Sequence, residues 1–271
     1  GTLCGVSVGD LQRTLEYGDR LAQAAGEVIE EFGLALALTQ LYPDRSANIA
    51  LRDRYLELIA ESHERSRAAG IEYPEVVIEQ IWQWILEDCR QVGYKSGFDE
   101  PLLDTAYRAA YFFDASIQHN YLYSGIADCL TKLSEAHLVQ GIISNAQFYT
   151  PIQLRRLLRE ELHRDRFELE DFFDESLVFF SYELGYSKPN PGAFRKANRI
   201  LVQKGIKPED IVYIGNDMLN DIWAAAQAGW RTILFAADET QTIMRNDEPN
   251  YSQLQPNAVV TKVESLVKMF N

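Results

Sequence analysis

Beyond about residue 115 the sequence alternates short apolar runs with amphipathic segments, and this constrains the fold more than any other feature. "GIADCLTKLSEA" reads as a helix and "LVQGIIS" as a short buried strand. "TPIQLRRLLREEL" follows as a helix, with Thr150 expected at its N-cap and Pro151 at its first position, and "SLVFFS" as a strand. "NPGAFRKANRILVQKG" is a helix with Asn190 expected to cap it and Pro191 to open it. "IVYIG" is a strand, "NDIWAAAQAG" a helix and "RTILFA" a strand. Alternation of this kind predicts an α/β fold with a doubly wound parallel sheet, covered by helices on both faces. Ligands of such sheets bind beyond the carboxyl ends of the strands.

The stretch before it has a different texture. From Asp10 to about Asp114 the chain reads as helix after helix, with little strand signal. Asp10 is expected to cap "LQRTLEYGDRLAQAAGEVIEEFG". Asp44 or Ser46 is expected to open "ANIALRDRYLELIAESHERSRAAG", which ends at Gly70. "YPEVVIEQIWQWILEDCRQVG" places Pro74 near a first turn, and a fourth helix lies within "DEPLLDTAYRAAYFFDAS". The predicted organisation is a core of residues 1–10 and 115–271, interrupted by an all-helical insertion over 11–114. Trp82 and Trp84, with Ile81 and Ile85, read as core of that insertion.

Three strand ends carry polar side chains that make chemical sense together. Ser144 and Asn145 follow "GII", Lys188 follows "VFFSYELGYS", and Asn216, Asp217 and Asp221 follow "IVYIG". Taken singly, the first two read as a turn, the lysine as a solvated surface residue and the acids as partners of a helix start. Taken together, a hydroxyl, an ammonium and a carboxylate cluster suit a phosphate bound beside a divalent metal. The lysine neutralises phosphoryl oxygens, the serine donates to one, and the acids offer hard oxygen ligands.

The series "GIISNA", "GYSKPNPGAF" and "YIGNDMLNDIWAAAQAG" resembles the second, third and fourth motifs of the haloacid dehalogenase-like hydrolase superfamily, in order and in spacing. The resemblance spans essentially the whole chain, although the helical insertion matches only in kind. It implies a Rossmann-like core with a helical cap that closes over the site. The implied activity is a Mg²⁺-dependent phosphatase acting on a small phosphate monoester. Ser144, Asn145 and Lys188 carry over as catalytic residues, and with Thr2 as substrate-binding ones. Asn216, Asp217 and Asp221 carry over as metal ligands, Asn216 standing where the family usually has an acid.

"GTL" at Gly1 to Leu3 resembles the end of the family's first motif, Asp-x-Asp-Gly-Thr-Leu. The resemblance therefore places the nucleophilic aspartate three residues before Gly1, at the end of a strand lying between those that end at Ser144 and Gly215. On this reading the protein is expected to extend upstream of Gly1. Two other readings stay open. A metal-independent 2-haloacid dehalogenase also uses an aspartate nucleophile and often has Ser-Asn in its second motif. A member without a nucleophile would be a binding protein.

Bulk properties bear on partners. Forty acidic against 26 basic residues give a net charge of −14, which disfavours nucleic acid and anionic membranes. The expected partner is a small phosphorylated metabolite. Three cysteines, Cys4, Cys89 and Cys129, form no Cys-x-x-Cys pair and suggest a reducing, cytoplasmic setting. His63, His119, His137 and His163 show no ligand spacing.

Overall fold

The computed structural model describes residues 4–7, 17–97, 100–245 and 254–270; Thr2 and Asp10 lie outside them. The chain divides into two compact units, one of Ser7–His119 and one of Gly1–Val6 with Asn120–Asn271.

The first unit holds α1 (Tyr17–Phe32), α2 (Ala35–Leu41), α3 (Ala47–Ala68), α4 (Ile78–Gln91) and α5 (Leu102–Ile117). Helix α1 buries Leu21, Ala25, Val28 and Phe32, one stripe at helical spacing, and packs on α3 and α5. Helix α4 likewise turns Ile78, Ile81, Trp82, Ile85 and Cys89 inward. Trp82 is fully buried against Tyr55 and Phe113, with ring centroids 5.8 and 5.1 Å away. Trp84 instead lies under the guanidinium of Arg65. Gly70 ends α3 at φ +85°, a conformation that a side chain would strain. Pro74 does not open α4. Val77 precedes the first turn in an extended conformation, and the helix opens at Ile78. Helix α5 continues through residue 115 to Ile117.

The second unit is built on strands β3 (Ile142–Ser144), β4 (Val178–Phe180), β5 (Val212–Gly215), β6 (Arg231–Phe235) and β7 (Ala258–Val260). β3 pairs with β4, and β5 with β6 and then β7, all in parallel. β1 (Cys4–Ser7) and β2 (His119–Leu122) form a further two-stranded sheet.

Alternate residues of β3, β4 and β5 enter opposite apolar layers. Ile142, Val178, Phe180, Val212 and Ile214 pack with α6 (Ile126–Glu135), α7 (Tyr149–Glu161) and α11 (Val263–Met269). Ile143, Phe179 and Tyr213 pack with α9 (Gly192–Gln203) and α10 (Ala224–Gln227). A short helix, α8 (Ser181–Leu184), follows β4 directly. The period of two, read against helices on both sides, is what a doubly wound sheet requires.

Helix starts differ from the sequence reading by a residue or two. Helix α7 begins at Tyr149 after Phe148, so Thr150 is not its cap and Pro151 is its third residue. A proline there removes only an N–H that the first turn leaves without a helical partner. Helix α9 begins at Gly192 after Pro191, yet Asn190 still caps it in substance, accepting from Gly192 N at 2.9 Å. Among the described residues no helix is long and apolar enough to cross a membrane.

Candidate functional site

The polar residues converge where β3 and β5 end. Ser144 and Asn145 close β3 and line one small cavity with Ser181, Tyr186, Lys188 and Asn190. The Asn145 carboxamide holds the backbone of Lys188 from both sides. Its Oδ1 accepts from Lys188 N at 2.6 Å, and its Nδ2 donates to Lys188 O at 3.1 Å. Asn145 therefore fixes the lysine's backbone, which is a more specific task than the sequence suggests. Ser181, at the end of β4, ties the same turn down by bonding both Ala146 N and Ala146 O.

Lys188 is not the solvated lysine that its sequence context suggests in isolation. Its side chain is 11% exposed and its ammonium lies 2.5 Å from Asp221 Oδ1 and 3.0 Å from the Tyr213 hydroxyl. Burial alone would push the ammonium's pKa down. The Asp221 and Tyr213 oxygens outweigh that and hold it above the usual lysine value. An ammonium has three N–H donors. Among the described residues two of them meet these oxygens and the third meets no hydrogen-bond acceptor.

Asp221 is the hub of the turn after β5. Its Oδ2 accepts from Asn216 N at 2.9 Å and Asp217 N at 3.0 Å, while Oδ1 takes Lys188. This requires the carboxylate to lie directly on the strand end. A Cβ on Gly215 would stand 2.1 Å from the Asp221 Cβ, so only glycine fits there. The backbone from Met218 to Trp223 is a π-helical turn that runs into α10. Such turns recur at functional sites.

Asp217 does something else. Its Oδ1 caps this turn, accepting from Leu219 N at 2.8 Å and Asn220 N at 3.1 Å, and its Oδ2 accepts from Asn220 Nδ2. Arg245 Nη2 approaches Oδ2 to 2.8 Å. Asn216 donates its Nδ2 to Gln241 O at 2.6 Å. Ile243 pairs with this stretch through Met218 N to Ile243 O and Ile243 N to Asn216 O, both 2.9 Å. The segment after β6 is thus laced onto the loop after β5.

These contacts test the expected metal site. A carboxylate offers about four lone-pair positions. Those of Asp221 meet two backbone amides and an ammonium, and those of Asp217 meet two amides, a carboxamide and a guanidinium. Among the described residues no group of three His, Cys, Asp or Glu side chains is arranged to hold a metal ion. Among the described residues the Asp217 carboxylate is thus fully taken up by protein donors, whereas that of Asp221 keeps one lone-pair position. Two residues of the site, Tyr213 and Arg245, carry no sequence signal.

Comparison with known proteins agrees with the geometry. A family profile described as HAD-hydrolase-like matches residues 185–266, which include Lys188, Asn216, Asp217 and Asp221. The chain is 31% identical over 172 residues to a glyceraldehyde 3-phosphate phosphatase of Methanopyrus kandleri, covering 62% of this chain and 67% of that protein. A glyceraldehyde 3-phosphate phosphatase of Methanothermobacter thermautotrophicus is 36% identical, but the match spans 42% of its length. Haloacid dehalogenase-like hydrolase domain-containing protein 3 of Xenopus laevis is 27% identical, covering 69% of this chain and 70% of that one. Among solved structures, a 2-haloacid dehalogenase of Pseudomonas syringae pv. Tomato superposes with a TM-score of 0.56 at 16% identity, over 95% of this chain and 94% of that one. A HAD phosphatase of Thermococcus onnurineus gives 0.50 at 15% identity, over 100% and 94%. A dehalogenase and a phosphatase share this fold, so the fold alone does not choose between their reactions.

Proposed function

The chain belongs to the haloacid dehalogenase-like hydrolase superfamily, and on that premise we propose that it hydrolyses a small phosphate monoester. The observation that carries the reading is Lys188, a buried ammonium held by two oxygens with one N–H remaining among the described residues, in a residue that lines one cavity with Ser144. That is a fitting receptor for a phosphoryl oxygen. The glyceraldehyde 3-phosphate phosphatases among the relatives support a phosphorylated three-carbon compound as substrate.

In this proposal a carboxylate attacks phosphorus, the P–O ester bond breaks as the leaving oxygen takes a proton from a general acid, and water then cleaves the acyl phosphate. Lys188 neutralises charge on the transferring group, and Asn145 keeps the lysine's backbone in place. Mg²⁺, which the resemblance implies, would need ligands other than the carboxylate of Asp217.

A metal-independent dehalogenase is the second reading, favoured by the closed donor set of the Asp217 carboxylate. One assay separates the two. Full-length protein is offered glyceraldehyde 3-phosphate or 2-chloropropionate, with Mg²⁺ and with chelator, and phosphate and chloride are measured. Phosphate release is the expected result. Chloride release in chelator without phosphate release overturns it.

A further inference from the structure

Tyr213 sits in β5 at a position that reads as one more apolar strand residue. Its ring packs in the layer under α9, 5.3 Å from Phe194 and 6.1 Å from Trp230. That packing needs no hydroxyl, yet the hydroxyl is fully engaged. It lies 2.8 Å from Ile143 O, 3.0 Å from Lys188 Nζ and 3.4 Å from Asp221 Oδ1.

The direction of these bonds follows from proton counting. A phenol has one proton, and a backbone carbonyl can only accept. The shortest contact therefore takes the Tyr213 proton to Ile143 O, and the phenol oxygen accepts from Lys188. Burial raises the phenol's pKa above its ordinary value, so the proton stays on. The result is a directed chain from the ammonium through the phenol to the backbone of β3, one residue before Ser144. Asp221 holds the ammonium from the β5 turn, and among the described residues Tyr213 is what refers it to β3.

We propose that Tyr213 is a positioning residue, whose hydroxyl sets the Lys188 ammonium in register with the Ser144 end of β3 and leaves the third N–H for the phosphoryl group. The catalytic half of this rests on the phosphatase reading above; the positional half does not.

The test uses Tyr213→Phe in the full-length protein, which keeps the ring and removes the hydroxyl. Leu201→Ala, in the same apolar layer on α9, serves as the packing control. The first measurement is hydrogen exchange of the Lys188 ammonium by ¹⁵N NMR, its signal assigned by its loss in Lys188→Arg. Exchange should quicken about fivefold or more in Tyr213→Phe and stay at the parental rate in Leu201→Ala, although the latter lowers Tm. The second is phosphate-ester turnover. Tyr213→Phe should lower kcat about tenfold with KM within about twofold, the scale of losing a supporting hydrogen bond. Unchanged exchange and kcat in Tyr213→Phe would overturn the proposal, as would equal changes in Leu201→Ala. If the parent turns over no phosphate ester, the reaction assignment fails, while the exchange rates still decide whether Tyr213 holds Lys188.

Discussion

Asp217 and Asp221 stand one helical turn apart, and each is only 4% exposed. They nevertheless serve different parts of the molecule. Asp221 reaches back over Gly215 to two backbone amides and across to Lys188, so it joins the turn after β5 to the connection after β4. Asp217 caps the turn it opens and meets Arg245 from the segment after β6. Two acids in one motif are thus divided between a site and its wall. The partner each carboxylate finds decides this, and nothing in the spacing of the acids does.

The largest effects are expected on the Asp221 side. Removing one member of a buried ion pair leaves the other charged and unpaired, at about 3–5 kcal/mol. Asp221→Asn and Lys188→Ala should each lower unfolding free energy by that amount in urea titrations. Exposed lysines contribute little to stability, and the burial of Lys188 is what sets it apart from a solvated surface lysine. Lys188→Ala should also reduce turnover by about 10²–10³. A loss below about 1 kcal/mol in both variants would erase the contrast between the two acids.

The Asp217 side should respond less. Asp217→Asn keeps a side-chain oxygen for the cap, so the loss expected is about 1–2 kcal/mol. Arg245 is more exposed, and Arg245→Ala should cost about 1 kcal/mol, since three other donors still serve Asp217. Chemical denaturation of both variants beside Asp221→Asn gives the ranking. An Arg245→Ala loss equal to that of Asp221→Asn would make the two regions equivalent.

The part of the site legible in sequence lies at strand ends. Lys188, Asn145 and Asp221 stand where the chain leaves a strand and where polar side chains must have a reason. Tyr213 stands inside an apolar alternation, where a tyrosine reads as core. The carbonyl it bonds is 70 residues away in sequence. Arg245 follows β6 in a stretch with no periodicity, and its partnership depends on how that stretch folds back. The fold shows the same division. Two-faced strands and long amphipathic helices announce themselves through period, whereas α2, β2 and β7, with three to seven residues each, are too short to show one.

The smallest effect concerns pH. The Lys188 pKa is raised in the folded protein, so the ammonium is protonated in both folded and unfolded states below about pH 10. Its contribution to stability is complete there and is lost only as pH rises through the raised folded value. Urea midpoints between pH 8 and pH 10 should therefore show no fall that Lys188→Met removes. Such a fall would mean that the ammonium is less well held than its two oxygen partners imply.

The central claim is that Asp217 belongs to the wall of the site and not to a metal centre. Titration of full-length protein and of Asp217→Asn with Mn²⁺, followed by electron paramagnetic resonance of the free ion, tests it without reference to turnover. The account predicts the same binding in both proteins within about twofold, whatever affinity the parent has. Loss of a metal ligand typically weakens affinity about tenfold or more. A drop of that size in Asp217→Asn would contradict the account and return Asp217 to the metal.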